Sequence, residues 1–182
     1  RSFCTCSGVV AVAALRHVGT KVGFSAVGPE IAISAPGGNC VNSDSGSACL
    51  YPILTTTDSG STLPAGSTYT DSFHISVGTS FSTPLVAGVA ALVLSRQRAM
   101  TPQEVRQLLQ ATARPFPAPG SIPSSTAPEC TPPQHNLRGM PADQLECYCT
   151  TTTCGAGMLD AGAALTVADS IPETARTRAP SP

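Results

Sequence analysis

The segment from residue 77 to residue 94 constrains this chain more than any other. It reads VGTSFSTPLVAGVAALVL, a run of small and aliphatic residues with one proline. Its apolar residues lie on nearly every side of a helix, and such a helix is normally buried. We therefore predict a buried helix over residues 79–98. Pro84 falls near its start, where a missing N–H costs little, and Gly88 is small enough for close packing.

Two continuous apolar runs, at 8–15 and 31–35, are typical of buried parallel strands. A polar loop, 16–23, joins them. Two segments, 39–76 and 115–153, lack apolar periodicity over most of their length and are interpreted as insertion loops. Residues 170–182 are polar and rich in proline, which predicts a disordered tail or a linker.

Two further helices have clear start signals. Thr101, Pro102 and Glu104 form a capping box, with the proline at the first helical position. The helix that follows has one apolar face. Asp160 is predicted to cap a last, alanine-rich helix that ends near residue 168, and we interpret it as a helix cap rather than a catalytic acid.

Composition excludes several classes of function. The chain has 182 residues, a formal net charge of −1 and only 12% charged residues, so no basic excess exists to bind nucleic acid. Its longest strongly apolar stretch, 86–94, is far shorter than the ~20 residues of a membrane-spanning helix. Eight cysteines and one lysine indicate a secreted or periplasmic protein. The chain begins at Arg1 rather than Met, so we expect a processed chain or a fragment.

The cysteines leave alternatives open. A bridge between Cys40 and Cys49 would close a small loop, but the sequence does not assign pairs. A second group of four cysteines is typical of a disulfide framework or of a zinc site. Its Cys-x-Cys-x₄-Cys spacing lacks the two Cys-x₂₋₄-Cys pairs that are usual in zinc sites. Disulfides are favoured, because the 115–153 segment has too poor a core to hold itself. The members of this group are Cys130, Cys147, Cys149 and Cys154.

Gly78, Thr79 and Ser80 stand at the head of the small-residue helix. Gly78 permits a tight turn, and Ser80 places a hydroxyl at a helix end that carries unpaired N–H groups. Those groups and the helix dipole favour developing negative charge. The arrangement predicts a nucleophile beside half of an oxyanion hole.

In these residues the chain resembles the subtilisin-like serine proteases, the subtilases. Their nucleophile signature, Gly-Thr-Ser-x-[Ser/Ala]-x-Pro-x-Val-Ala-Gly, matches residues 78–88. Segments 24–29, 33–38, 101–113 and 155–161 resemble other family segments in the family's order. Two signature positions depart from the usual residues: Phe81 stands for methionine and Leu85 for histidine. Neither replacement changes the nucleophile itself.

The resemblance implies the C-terminal part of a subtilase catalytic domain, over 1–169. The fold it implies is α/β: an incomplete subtilisin-like fold with a partial doubly wound parallel sheet and flanking helices. It makes Ser80 the catalytic nucleophile and its backbone N–H an oxyanion donor. The His, the Asp and the oxyanion Asn are expected in missing upstream chain, so that chain is a partner of this one. The chain alone is expected to be inactive, and its substrates would be proteins or peptides.

Other polar residues have ordinary interpretations. His17, His74 and His135 are interpreted as loop residues, because none has the family's His-Gly-Thr-His context. No cofactor is expected to be required. A structural Ca²⁺ is compatible with the resemblance, with Asp58 and Asp71 as candidate ligands, but no Asp-x-Asp spacing indicates such a site.

Two functions from different classes remain. The first is serine endopeptidase hydrolysis by a subtilisin-like enzyme. The alternative is a non-catalytic, disulfide-stapled extracellular binding or scaffold module (a pseudoprotease), with the segment 115–154 as its contact surface. The sequence upstream of Arg1 discriminates between them, because the alternative requires that a triad member be replaced there.

Overall fold

The computed structural model describes residues 8–38, 52–71, 77–123, 125–135, 141–142 and 144–172. The predictions for His74, for the Cys40–Cys49 bridge and for nearly all of the 170–182 tail lie outside the described residues. The division of the chain into 1–169 with two insertions and a tail stays a prediction.

A parallel pair of strands forms the centre of the fold. Strand β1 is Ala11–Leu15 and strand β2 is Ile31–Pro36. They pair in parallel, with Ala13 opposite Ser34, and β2 is buried along all but its last residue. Both predicted strands are therefore confirmed. Met158 adds a single parallel bridge to Ser34 on the other side of β2.

Three helices flank this sheet: α1 is Thr79–Arg96, α2 is Pro102–Ala111 and α3 is Ala161–Ser170. The capping box of α2 is present, because the Thr101 side chain accepts the Glu104 N–H while the Glu104 carboxylate accepts the Thr101 N–H. Asp160 caps α3 through a bond from the Ala163 N–H. The mixed α/β architecture is as predicted.

One apolar core joins the sheet to the three helices. It is built from aliphatic side chains of β2 and of all three helices, and the fully buried Val93 belongs to it. Burying such a side chain contributes about 1.5–3 kcal/mol. This core fixes α1 against the sheet, and so fixes the helix that begins beside Ser80.

The prediction that α1 is buried on nearly all sides is wrong for the described residues. Only one face of α1 is buried, formed by Ser82, Val86, Val89 and Val93. Outside that face Leu85 is 44% exposed and Leu92 is 50% exposed. The physical reason is that sheet, α2 and α3 all pack on the same side of α1, so its outer face has no cover among the described residues.

The 16–23 loop, predicted as a polar loop, is buried in part. Thr20, Lys21 and Val22 are fully buried in it. The Lys21 ammonium donates to four backbone carbonyls, those of Val22, Gly23, Gln144 and Leu145. The loop is buried because the 144–148 segment crosses over it and supplies two of those carbonyls.

The 115–153 segment is held by disulfides, as predicted. Cys130 pairs with Cys147, and Cys149 pairs with Cys154. Their sulfurs form a second small core with Leu15 at the end of β1. Glu146 secures the same segment through an ion pair to Arg16. Two short strands lie at its tip, β5 at Gln134–His135 and β6 at Pro141–Ala142.

The 39–76 segment contains a hairpin that the sequence analysis missed. Strands β3 (Thr55–Asp58) and β4 (Ser67–Thr70) pair in antiparallel fashion, with Thr57 opposite Thr68. Asp58 orders the connecting loop, because its carboxylate accepts the N–H groups of Gly60, Ala65 and Gly66. The signal was the β-branched run TTTD before a Ser/Gly/Pro-rich turn.

Candidate active site

Ser80 is the second residue of α1 and is exposed. The N-cap is Gly78, with φ 138°, a conformation that favours glycine. Gly78 has no side chain with which to cap the first N–H groups, and no acidic residue lies in the first turn. The hydroxyl of Ser80 thus lies at the positive end of an 18-residue helix whose dipole is not offset by a carboxylate in that turn.

The turn before Ser80 is fastened to the end of β2. Gly78 donates its N–H to the Gly37 carbonyl at 2.9 Å. One turn along the helix, the fully buried Ser82 donates its hydroxyl to the Pro36 carbonyl at 3.0 Å. Gly37 itself donates to the Leu15 carbonyl at 3.1 Å. The position of Ser80 is therefore set by bonds on both sides of it.

Gly37 must be glycine for steric reasons. A Cβ at this position would lie 2.5 Å from the Ala14 Cβ and 2.9 Å from the Ser82 Oγ. The helix start approaches the strand ends so closely that only a hydrogen atom fits between them. Sequence reasoning matched Gly37 to a family strand end but did not find this contact.

Pro84 lies deeper in the helix than predicted. It is the sixth residue of α1, one turn inside rather than within the first turn. A proline at that position has no N–H to give to the carbonyl four residues earlier, which is that of Ser80. The missing bond falls at the candidate nucleophile, so the backbone around Ser80 has one constraint fewer than an ordinary helix turn.

An open apolar hollow of about 280 Å³ lies between β1 and the first turn of α1. One side is the outward edge of β1, which has no strand partner among the described residues. The other side is the helix face beside Ser80. The lining residues are Val9, Val10, Ala11, Val12, Ala26, Ile31, Thr79 and Thr83.

Among the described residues, no histidine or carboxylate hydrogen-bonds to the Ser80 hydroxyl. His17 lies in the loop after β1, and partial burial lowers its pKa, with the charge of Arg16 adding to the effect. A serine without a general base is a weak nucleophile. The site as described holds a positioned hydroxyl and an uncapped helix start.

The two carboxylates considered in the sequence analysis, Asp160 and Asp58, make local structural interactions. Asp160 caps α3 and pairs with Arg114 at 3.5 Å. Asp58 is exposed, and the backbone N–H of Ala65, with those of Gly60 and Gly66, holds the pKa of its carboxyl below its usual range. The expectation of a structural Ca²⁺ stays a prediction.

The helix α1 is, by length and apolar composition alone, the one helix in the described part of the chain that could cross a membrane. A core helix of a folded domain meets the same criterion. Here four of its side chains are buried, and three of them belong to the core that it shares with the sheet and the other helices.

Comparison with known proteins gives a consistent result. Residues 3–151 match the subtilase family. A thermostable alkaline protease of Halalkalibacterium halodurans is 42% identical over 108 residues, which are 59% of this chain and 23% of that protein. An extracellular protease of Xanthomonas campestris pv. campestris is 41% identical over 113 residues, 62% of this chain and 17% of its own length.

Solved structures agree. A protease of Pseudoalteromonas arctica superposes with TM-score 0.62 at 32% identity, over 90% of this chain and 37% of that one. A serine protease of Aeromonas sobria, at 22% identity and TM-score 0.53 over 88% of this chain and 29% of that one, shares the fold. The matched part of the chain spans 23% and 17% of the length of the two curated relatives above.

Proposed function

The chain belongs to the subtilase family, and from that premise we propose that it supplies the nucleophile of a secreted serine endopeptidase. The observation that supports this most is Ser80, exposed at the uncapped start of α1 with Gly78 and Ser82 bonded to the end of β2. The extracellular naming of the Xanthomonas campestris relative supports secretion.

In this proposal Ser80 Oγ attacks the scissile carbonyl carbon of a peptide and forms an acyl-enzyme. The negative charge of the tetrahedral intermediate develops next to the Ser80 N–H. That donor is fixed by the helix start, so little reorganisation is needed during the reaction. A histidine must take the hydroxyl proton and pass it to the leaving amine. We place that histidine, its orienting aspartate and the oxyanion asparagine in upstream chain.

The partner that completes the site would cover the open side of this chain. No strand pairs with the outward edge of β1 among the described residues, although Ala14 bonds Val22 and Ser25 there. Parallel strands are normally found inside larger sheets. Beside it the outer face of α1 exposes Leu85 and Leu92. We propose that the rest of the catalytic domain adds a strand at β1 and packs on this face. The chain alone would then lack both the base and most of the cleft.

Hydrolysis of an unstructured protein substrate by the whole source protein tests the proposed activity. Ser80→Ala should lower the rate by about 10⁴-fold or more. Ser95→Ala is the matched control, because Ser95 is an exposed serine near the far end of the same helix and bonds only the Leu92 carbonyl. Undiminished activity of Ser80→Ala would refute the assignment. An inactive whole protein would favour the binding module instead.

A glycine on the outer face tests the proposed cover. In this chain a Cβ on Gly88 would have no atom within 4 Å. Gly88→Ala should therefore stabilise the isolated chain by up to about 1 kcal/mol, because alanine is the better helix former. In the whole protein the same substitution should destabilise, because the face would be packed. Stabilisation in both would contradict the cover and leave the role of Ser80 untouched.

A further inference from the structure

The buried side chain of Lys21 joins two segments that are distant in sequence. It is 1% exposed. Its ammonium donates to the carbonyls of Val22 at 3.0 Å and Gly23 at 3.1 Å, which lie in its own loop. It also donates to the carbonyls of Gln144 and of Leu145, the latter at 3.0 Å. These four oxygens form a carbonyl cage around one positive charge inside the protein.

Bonds that do not involve the ammonium hold the carbonyl cage in place. The Gln144 side chain accepts the Thr131 N–H and donates to the Thr131 carbonyl, both at 2.8 Å. The backbone N–H of Lys21 donates to the Cys147 carbonyl at 2.9 Å, and Cys147 is fixed by its disulfide. We therefore expect the carbonyl cage to persist when the Lys21 side chain is shortened.

The carbonyl cage has the chemistry of a site for a monovalent cation. An ammonium has three protons to donate, whereas four oxygens surround this one. The cage therefore solvates a charge and does more than match single N–H bonds. All four oxygens are neutral backbone carbonyls, the ligands with which proteins replace the hydration shell of K⁺. Sites for Ca²⁺ usually include carboxylates, and these four oxygens include none.

We propose that the carbonyl cage is a binding site for a monovalent cation, ammonium or K⁺, and that Lys21 fills it from within the chain. Because this cation is covalently attached, the joint between the 16–23 loop and the 144–148 segment holds at any salt concentration and in the presence of chelators. An external cation enters the cage only when the Lys21 side chain is removed. This role does not depend on the role proposed for Ser80.

Chemical rescue of Lys21→Ala by ammonium tests the proposal. The substitution removes the charge and leaves the backbone bond to Cys147 in place. We expect it to lower the melting temperature of this chain, followed by circular dichroism, by about 6–12 °C. Ammonium or potassium chloride at about 0.2 M should restore at least about 3 °C, because the cation binds only the folded state. Tetramethylammonium chloride at the same concentration supplies the same ionic strength, but its cation is too large for the cage and should restore nothing.

Lys21→Met is the matched control, because its unbranched side chain fills the cage without a charge. It should lose stability and gain no more from ammonium than from tetramethylammonium. Should Lys21→Ala be unfolded without added salt, recovery of its circular dichroism by ammonium is the same readout. The proposal is overturned if ammonium and K⁺ stabilise Lys21→Ala no more than tetramethylammonium does, or if they stabilise Lys21→Met equally. Stabilisation of Lys21→Ala by Ca²⁺ alone would also overturn it.

Discussion

The substitution Gly37→Ala tests whether the close approach of β2 to the start of α1 holds the fold together. The added Cβ would lie 2.5 Å from the Ala14 Cβ, about 1 Å nearer than carbon atoms normally approach. It would also lie 3.2 Å from the Gly78 carbonyl oxygen. Overpacking of this kind costs about 1–3 kcal/mol, and loss of the Gly78 N–H bond to the Gly37 carbonyl adds about 1 kcal/mol. We expect a loss of about 3 kcal/mol in the free energy of unfolding.

Urea unfolding followed by far-ultraviolet circular dichroism measures this loss in the isolated chain. The matched control is Gly88→Ala, at a glycine whose added Cβ meets no atom within 4 Å. The control should be neutral or stabilising, with an unchanged dependence of unfolding free energy on urea concentration. If the free energy of unfolding of Gly37→Ala lies within about 0.5 kcal/mol of the parent value, the strand end does not constrain the helix start as described.

Three further predictions follow from single groups. Lys21→Met leaves four backbone carbonyls without their donor and should lower the free energy of unfolding in urea by about 3 kcal/mol. The control Arg98→Met, at an exposed site, should leave that free energy almost unchanged. Equal effects of the two substitutions would contradict the role given to the Lys21 hydrogen bonds. Backbone N–H bonds lower the pKa of Asp58, so they stabilise the hairpin fully above about pH 4 and lose effect as pH falls through the lower folded pKa. The amide NMR shift of Ala65 should follow that titration in the parent and not in Asp58→Asn. Thr101→Ala should lower the thermal stability of the chain by about 1 kcal/mol through loss of the capping box, and an unchanged melting temperature would argue against it.

The local elements were predictable because their signals are local. The capping box at Thr101, the Asp160 cap and the two apolar strands each depend on residues within one short segment. Ser80 at the head of a helix is also a local feature, since Gly78 permits the turn and the helix follows directly. Its role as nucleophile remains a prediction.

Features that depend on contacts distant in sequence were missed. The burial of Lys21 depends on carbonyls more than 120 residues away, at 144 and 145. The sequence around Lys21 does not predict these contacts. The steric demand at Gly37 likewise comes from Ala14 and Ser82 on other elements. The apolar residues around α1 predicted burial on nearly all sides. Apolar composition alone does not show which segments pack against each side of the helix.

The central claim is that Ser80 is an activated nucleophile in the whole protein, and labelling with a fluorophosphonate tests it most directly. The probe is applied to the source protein in its native state, to its Ser80→Ala variant and to this chain alone, and the adduct is located by mass spectrometry. We predict an adduct on Ser80 in the source protein, none at this position in the variant, and none on the isolated chain. Labelling of the source protein at a different serine, undiminished in Ser80→Ala, would contradict the account.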